Sequence, residues 1–172
     1  RAGIDKTVRK TWQTSPELWE QEEPTESTLE GDIRQRFADL RFWQRLAEAD
    51  RRAMVGGYSG LILRLADGKQ FIEPVDTVPG GLRGLVEVVP AWAGQLTVSS
   101  WDTDQRSENY GKPTMFQFNE ANVVEGQSTG GRSRAFQLHP DRVVVWSEDG
   151  TVHGRSLLEP GFNDLLSMEK IA

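Results

Sequence analysis

The fold is decided by the stretch Gln137-Leu-His-Pro-Asp-Arg-Val-Val-Val-Trp-Ser, which is soon followed by Gly154-Arg-Ser-Leu-Leu-Glu-Pro. The β-branched and aromatic run in the first stretch is typical of a buried strand. Glu148-Asp-Gly then predicts a turn. The second stretch predicts the start of a helix, so we expect a buried strand, a turn and a helix in that order.

The predicted closing helix has a clear beginning. Ser156 and Glu159 have the Ser-x-x-Glu spacing of a capping box, and Pro160 is tolerated in the first turn of a helix. The apolar pattern continues to Ala172, where neither glycine nor proline ends it. Because the chain also starts at Arg1 and not at methionine, we expect a fragment of a longer chain that ends in a truncated helix.

A helical pattern near the N-terminus lies upstream of this stretch. Ser27 or Thr28 can cap it, Asp39 could cap a second helix within it, and Gly56-Gly57 ends it. Its apolar residues recur every three or four positions, which predicts helices that pack on a core. They are Leu29, Ile33, Phe37, Leu40, Trp43, either Leu46 or Ala47, and Met54.

Short extended segments fill the middle of the chain. Asp67-Gly68 predicts a hairpin turn, Pro90 is expected to stop a strand, and residues 120–133, rich in glycine, serine and asparagine, predict a loop. Runs of strands without helical crossovers favour an α+β fold, with N-terminal helices packed on a mostly antiparallel β-sheet. The predicted strands cover residues 58–65, 70–75, 82–89, 91–99, 114–119, 134–138 and 141–147.

Composition restricts the chemistry that this chain can perform. It has 172 residues and no cysteine, and its histidines are His139 and His153, so a thiolate or histidine metal centre is not expected. The net charge is −6, whereas a domain that binds nucleic acid is usually basic. No apolar run approaches the roughly 20 residues that span a membrane. We therefore expect no catalytic, cofactor-binding or metal-binding residues, and no cofactor.

Two groups of polar residues keep an enzymatic alternative open. Asp102, Asp104 and Glu108 share one polar loop, where carboxylates could hold a metal ion, although their spacing differs from that of the known calcium loop. His139 stands close to Asp141, as in an acid–base pair. The alternative is a metal-dependent small hydrolase that uses the Asp102–Glu108 loop and His139, whereas a solvated loop and a structural histidine are the more ordinary interpretations.

Residues 1–26 are predicted to form an N-terminal extension or linker, and residues 27–172 a single α+β domain. The first segment carries Trp12 and Trp19, followed by an acidic run that contains Pro24. Indole side chains are enriched at binding hot spots. A general protein-interaction module is therefore a further alternative, next to packing of both tryptophans on the domain itself.

Four segments resemble a known family by their order and spacing. They are Leu138-His-Pro-Asp-Arg-Val-Val, Gly154-Arg-Ser-Leu-Leu-Glu, the run from Trp43 to Leu63, and Tyr110-Gly-Lys-Pro. Together they resemble bacteriophage and prophage portal proteins over roughly residues 28–172. In that family a strand with a His-x-x-Arg-Val pattern is followed by a Gly-x-Ser-x-Leu turn into a long helix.

This resemblance implies a structural protein without catalytic residues. Portal subunits form a homo-oligomeric ring, usually of twelve copies, at one capsid vertex of the virion, and they assemble in the cytoplasm of the bacterial host. DNA passes through the ring without sequence-specific binding, and terminase, capsid and head-completion proteins dock on it; no membrane is involved. Residues 27–172 would correspond to the wing domain, with the closing helix leading toward the stem.

Overall fold

In the computed structural model, residues 2–19, 27–120 and 135–161 are described, and within them three α-helices are followed by six β-strands. This architecture confirms the predicted α+β class. The helices are α1 (Ala2–Thr11), α2 (Thr28–Asp39) and α3 (Phe42–Gly56). The strands are β1 (Ser59–Leu65), β2 (Leu85–Trp92), β3 (Leu96–Trp101), β4 (Pro113–Asn119), β5 (Ala135–Leu138) and β6 (Val143–Trp146). Short 3-10 helices occupy Gly81–Gly84 and Pro140–Arg142.

The strands form two antiparallel sheets of three strands each, where the sequence predicted one sheet. The first has the order β2-β1-β6 and the second the order β3-β4-β5. In the first sheet, β1 pairs with β2 from Ser59↔Trp92 to Leu65↔Leu85 and with β6 from Ser59↔Trp146 to Ile62↔Val143. Its central strand β1 therefore joins segments that are distant in the sequence.

The first sheet is the middle layer of the domain. Leu61 packs with Leu46 and Ala49 of α3 on one face, whereas its neighbour Ile62 packs with Leu96 of the second sheet on the other. Successive side chains of a strand point to opposite faces, so β1 is buried on both sides. A buried hydrogen bond of 2.8 Å from Ser59 Oγ to the carbonyl oxygen of Ala49 further ties β1 to α3.

The two long helices are separated at residues 40–41. Leu40 is the C-cap of α2, and Arg41, which precedes α3, has a left-handed backbone with φ of 50°. The break was predicted, but the expected cap at Asp39 is wrong, since its carboxylate accepts a hydrogen bond from Gln35 at 2.9 Å within α2. Gly57, with φ of 88°, ends α3 as predicted.

Replacing Ser27 with alanine is expected to destabilise the domain by about 1 kcal/mol. Ser27 Oγ accepts the Glu30 backbone N–H at 3.2 Å, and Glu30 Oε2 accepts the Ser27 N–H at 3.4 Å, which completes a capping box. Urea unfolding measures the loss. Ser27→Asp, which keeps an acceptor at the cap, is the control, and equal stability of both variants would contradict a role for the side-chain oxygen.

The predicted hairpin after β1 is wrong. Gly68 does turn the chain, with φ of 70°, but residues 70–75 form no strand, and β1 pairs with β2. The carboxylate of Asp67 instead binds Arg142, which lies 75 residues further along the chain. This long-range ion pair holds residues 66–84 as a connection between the two strands.

Pro90 does not stop a strand. It lies inside β2, opposite Leu61, because β2 is at the edge of its sheet, where a missing N–H does not break a ladder. Arg52 donates a hydrogen bond to the Pro90 carbonyl oxygen and lies 5.3 Å from the centre of the Trp92 ring. The edge of β2 at this point is thus covered by a side chain of α3.

Predictions for the second half of the chain are largely confirmed. The expected strands at 114–119 and 134–138 are β4 and β5, and the strand at 141–147 is β6, shortened by the 3-10 helix before it. The extended segment at 91–99 is divided between the end of β2 and the start of β3. Most of the predicted loop at 120–133 and the closing helix beyond residue 161 lie outside the described residues.

Candidate functional site

A buried ion pair joins the connection after β1 to the corner before β6. Arg142 Nη2 lies 2.5 Å from Asp67 Oδ2, and each side chain is only 1% exposed. Arg142 Nε also donates to the Glu73 carbonyl oxygen at 3.4 Å, and the guanidinium lies 6.0 Å from the centre of the Phe71 ring. We call Asp67, Phe71, Glu73 and Arg142 the arginine joint. Its buried charges are paired, as burial requires.

The arginine joint changes the acidity of Asp67. The hydrogen bond from Arg142 holds the pKa of the Asp67 carboxyl below its ordinary value, because that bond favours the charged form. The backbone N–H of Lys69 adds a further bond to Asp67 Oδ1 at 3.2 Å. Asp67 therefore stays charged beside Arg142, and residues 67–73 are fixed against the start of β6.

His139 and Asp141 reinforce the same corner. The backbone N–H of His139 donates to the Phe71 carbonyl oxygen at 2.8 Å, and Asp141 Oδ2 accepts the backbone N–H of Val75 at 3.0 Å. His139 Nδ1 lies 3.1 Å from Asp141 Oδ2, so the two residues that the enzymatic alternative paired do meet. Both residues also hold the connection 66–84, and they lie close together because His139 caps the 3-10 helix, where its Nδ1 accepts the Asp141 backbone N–H at 3.3 Å.

A second joint fixes the segment that leaves the sheets. Gly57 and Gly154 approach so closely that a Cβ built on Gly154 would lie 2.3 Å from the Gly57 carbonyl oxygen. The Leu157 N–H donates to the Met54 carbonyl oxygen at 3.0 Å, and Ser156 Oγ lies 3.4 Å from the same oxygen. We call these five residues the exit joint, since they attach residues 154–157 to the end of α3.

The predicted capping box at Ser156 has a different form in the structure. Ser156 Oγ accepts the N–H of Leu158 at 3.1 Å, while the N–H of Glu159 donates to the Ser156 carbonyl oxygen at 3.1 Å. Helical backbone begins at residue 159 and the described part ends at residue 161.

The loop that carries the acidic residues forms a compact hairpin tip. Asp102 accepts hydrogen bonds from the Asp104 N–H at 3.0 Å and from Ser107 Oγ at 2.5 Å, and Asp104 accepts the Arg106 N–H at 3.0 Å. The carboxylates of Asp102 and Asp104 thus organise the turns of their own loop. Within residues 2–19, 27–120 and 135–161, no group of three or more histidine, aspartate and glutamate side chains is placed to hold a metal ion.

The two N-terminal tryptophans have different environments. Trp12 is half-buried, with its ring centre 6.5 Å from that of Trp43 and 6.4 Å from that of Trp146, so it packs on the domain itself. Trp19 is 45% exposed. Across the part of the chain that the structure describes, no helix is long and apolar enough to cross a membrane.

Sequence reasoning missed both joints. Arg142 stands next to a run of apolar residues that forms a strand, and a charge in such a position indicates a buried partner, but its partner Asp67 was interpreted as a turn residue. The contact between Gly57 and Gly154 leaves no local signal beyond the two glycines, because it joins backbones that are far apart in the sequence.

The unusual features of this domain hold its own segments together. The buried charges pair with each other, the close glycines join two chain segments, and the candidate acidic residues stabilise their own loop.

The chain belongs to the phage portal protein family, whose sequence model, described as "Phage portal protein", matches residues 4–172. Its members are structural proteins of virion assembly and DNA packaging at a capsid vertex. No curated protein matches the chain.

Proposed function

We propose that this chain is the wing-like part of a portal subunit. In the intact protein, copies form the ring through which phage DNA is packaged and ejected, and terminase and head-completion proteins dock on that ring. Residues 27–172 form the wing-like domain, residues 1–26 precede it as an extension, and assembly takes place in the cytoplasm of the bacterial host.

The observation that carries this proposal is the family match over residues 4–172. The segments by which the chain resembles portal proteins also contain residues that stabilise its fold. His139, Asp141 and Arg142 fix the connection 66–84, and Gly154 and Ser156 lie in the exit joint. These segments therefore fix an internal connection of the domain and the position of residues 154–157 against α3.

The charge of the chain is compatible with the same role. At a net charge of −6, the chain does not favour the phosphate contacts that would hold DNA tightly and slow its passage.

The intact gene product that carries this sequence is expected to assemble into closed rings. Native mass spectrometry over a dilution series measures the number of copies, and electron microscopy of the same sample shows whether the assembly is closed. Purified terminase and capsid protein, added separately, test the docking partners. A product that stays monomeric at every concentration and binds neither partner would refute the proposal.

A further inference from the structure

Two Asp-Gly sequences occur in the chain, Asp67-Gly68 and Asp149-Gly150. At such a sequence the backbone nitrogen of glycine can attack the side-chain carboxyl carbon of aspartate. A nitrogen–carbon bond forms, a carbon–oxygen bond of the carboxyl breaks, and water leaves, which gives a cyclic succinimide. Glycine favours the attack because it has no Cβ and a mobile backbone. Hydrolysis of the ring then returns aspartate or isoaspartate, whose backbone is longer by a methylene group.

The two sites differ in how their carboxylates are held. Asp67 belongs to the arginine joint, where its side chain is 1% exposed and is bound by Arg142. Asp149, by contrast, is exposed on the turn that follows β6. Water therefore reaches Asp149 freely, and its resistance to isomerisation depends on the hydrogen bonds of the turn.

Thr151 and Ser147 supply these hydrogen bonds. The backbone N–H of Thr151 donates to Asp149 Oδ1 at 2.8 Å, and the Thr151 hydroxyl donates to Asp149 Oδ2 at 2.9 Å. Ser147 Oγ lies 3.1 Å from Asp149 Oδ1 and 2.7 Å from the Thr151 carbonyl oxygen. The hydroxyl oxygen of Thr151 also accepts the backbone N–H of His153 at 3.1 Å, which leaves its proton for Asp149.

These bonds oppose the reaction in two ways. Succinimide formation starts from the uncharged acid, because an ionised carboxylate is a poor electrophile. The backbone N–H and the hydroxyl of Thr151, with a smaller contribution from Ser147, hold the pKa of the Asp149 carboxyl below its ordinary value, since they favour the charged form. The attacking group is also engaged, because the Gly150 N–H points to the Ser147 carbonyl oxygen at 3.4 Å.

We infer that Asp149-Gly150 is a site of spontaneous isoaspartate formation, and that the Thr151 hydroxyl restrains this reaction in the folded protein. The restraint acts on the atoms that react. The carboxyl carbon is held toward Thr151, while the nitrogen that must reach it is held toward Ser147.

Isomerisation at this turn would lengthen the backbone directly before residues with fixed positions. Val152 packs against the core cluster that contains Ile62 and Leu96. The ring of His153 stacks on that of Trp101, with ring centres 5.5 Å apart. The exit joint begins at the next residue. An added methylene at position 149 would therefore disturb the packing of the segment that leads to the exit joint.

The rate of isomerisation in the folded protein tests the inference. The intact gene product is incubated at physiological temperature and pH, digested, and compared by mass spectrometry with synthetic aspartyl and isoaspartyl standards. A peptide of residues 145–155, incubated in parallel, gives the rate without the folded turn. Asp149 is expected to isomerise about tenfold more slowly in the protein than in the peptide, as the loss of one or two hydrogen bonds implies.

Two substitutions of Thr151 isolate the hydroxyl. Thr151→Val removes it and keeps the backbone N–H and the shape of the side chain. This variant is expected to form isoaspartate at position 149 roughly three to ten times faster than the wild type, the range of a single hydrogen bond. Thr151→Ser keeps a hydroxyl and is the matched control, so we expect its rate to stay close to that of the wild type.

Asp67-Gly68 provides an internal reference in the same samples. A faster reaction at Asp149 alone supports the local restraint by Thr151. An equal rise at Asp67 would show that the substitution opens the whole domain, and would overturn that local role. The inference also fails if protein and peptide isomerise equally fast at Asp149, or if the valine and serine variants have the same rate.

Discussion

Replacing Arg142 with methionine is expected to lower the free energy of unfolding by about 3–5 kcal/mol. Its side chain is 1% exposed and donates to Asp67, so the substitution leaves a carboxylate enclosed without its cation. The bond to the Glu73 carbonyl oxygen is lost at the same time. Urea unfolding monitored by tryptophan fluorescence measures the change.

The double variant Asp67→Asn, Arg142→Met is the control for this loss. It removes both charges and keeps an acceptor for the Lys69 N–H, so we expect it to recover much of the stability that Arg142→Met loses. A double variant as unstable as Arg142→Met would show that packing of the arginine, and not charge pairing, stabilises the corner.

The same pair gives the wild-type protein an acid-sensitive component of stability. Because folding lowers the pKa of Asp67, the folded chain binds fewer protons at this site than the unfolded chain does between the two pKa values. This stabilisation is complete above the ordinary aspartate pKa, about 3.9, and is lost as the pH falls through the folded value. The Asp67→Asn, Arg142→Met variant is expected to lack this component.

Replacing Gly154 with alanine is expected to cost about 1–3 kcal/mol, the usual range for an overpacked position. The new Cβ would lie 2.3 Å from the Gly57 carbonyl oxygen and 3.2 Å from its carbonyl carbon. Both atoms are backbone, so they cannot give way as the end of a flexible side chain can. We therefore expect the substitution to weaken the contact between residues 154–157 and the end of α3.

Amide hydrogen exchange identifies where Gly154→Ala acts. The Leu157 N–H, which donates to the Met54 carbonyl oxygen, is expected to lose protection before the amides of β1 do. Gly94→Ala is the matched control, since a Cβ there meets nothing within 4 Å and is expected to be nearly neutral. Unchanged protection at Leu157 together with full stability would contradict the exit joint.

Local patterns predicted the elements whose cause is local. The apolar spacing in residues 28–56 indicated two helices, Gly57 marked their end, and the alternation in residues 114–119 indicated β4. Each of these signals comes from neighbouring residues, because caps, periodicity and turns act over a few positions.

The errors came from contacts between distant residues. Asp67-Gly68 has the sequence of a hairpin turn. No hairpin forms there, because β1 pairs with the distant strand β2 and Asp67 forms an ion pair with Arg142. Pro90 is tolerated because β2 is an edge strand, and strand order cannot be obtained from one strand alone. The exit joint depends in the same way on how the whole chain is arranged.

The pairing of β1 with β6 has a consequence for synthesis. Ser59 and Trp146 are partners in the central sheet although most of the domain separates them in sequence. Contacts of this range form slowly, because a long loop must close before they contribute. During synthesis on the ribosome, the sheet around β1 therefore stays incomplete until β6 has been made. Residues 154–157 can pack against the end of α3 only after that. The sheet that contains β1 is therefore completed only after residue 146 has been synthesised.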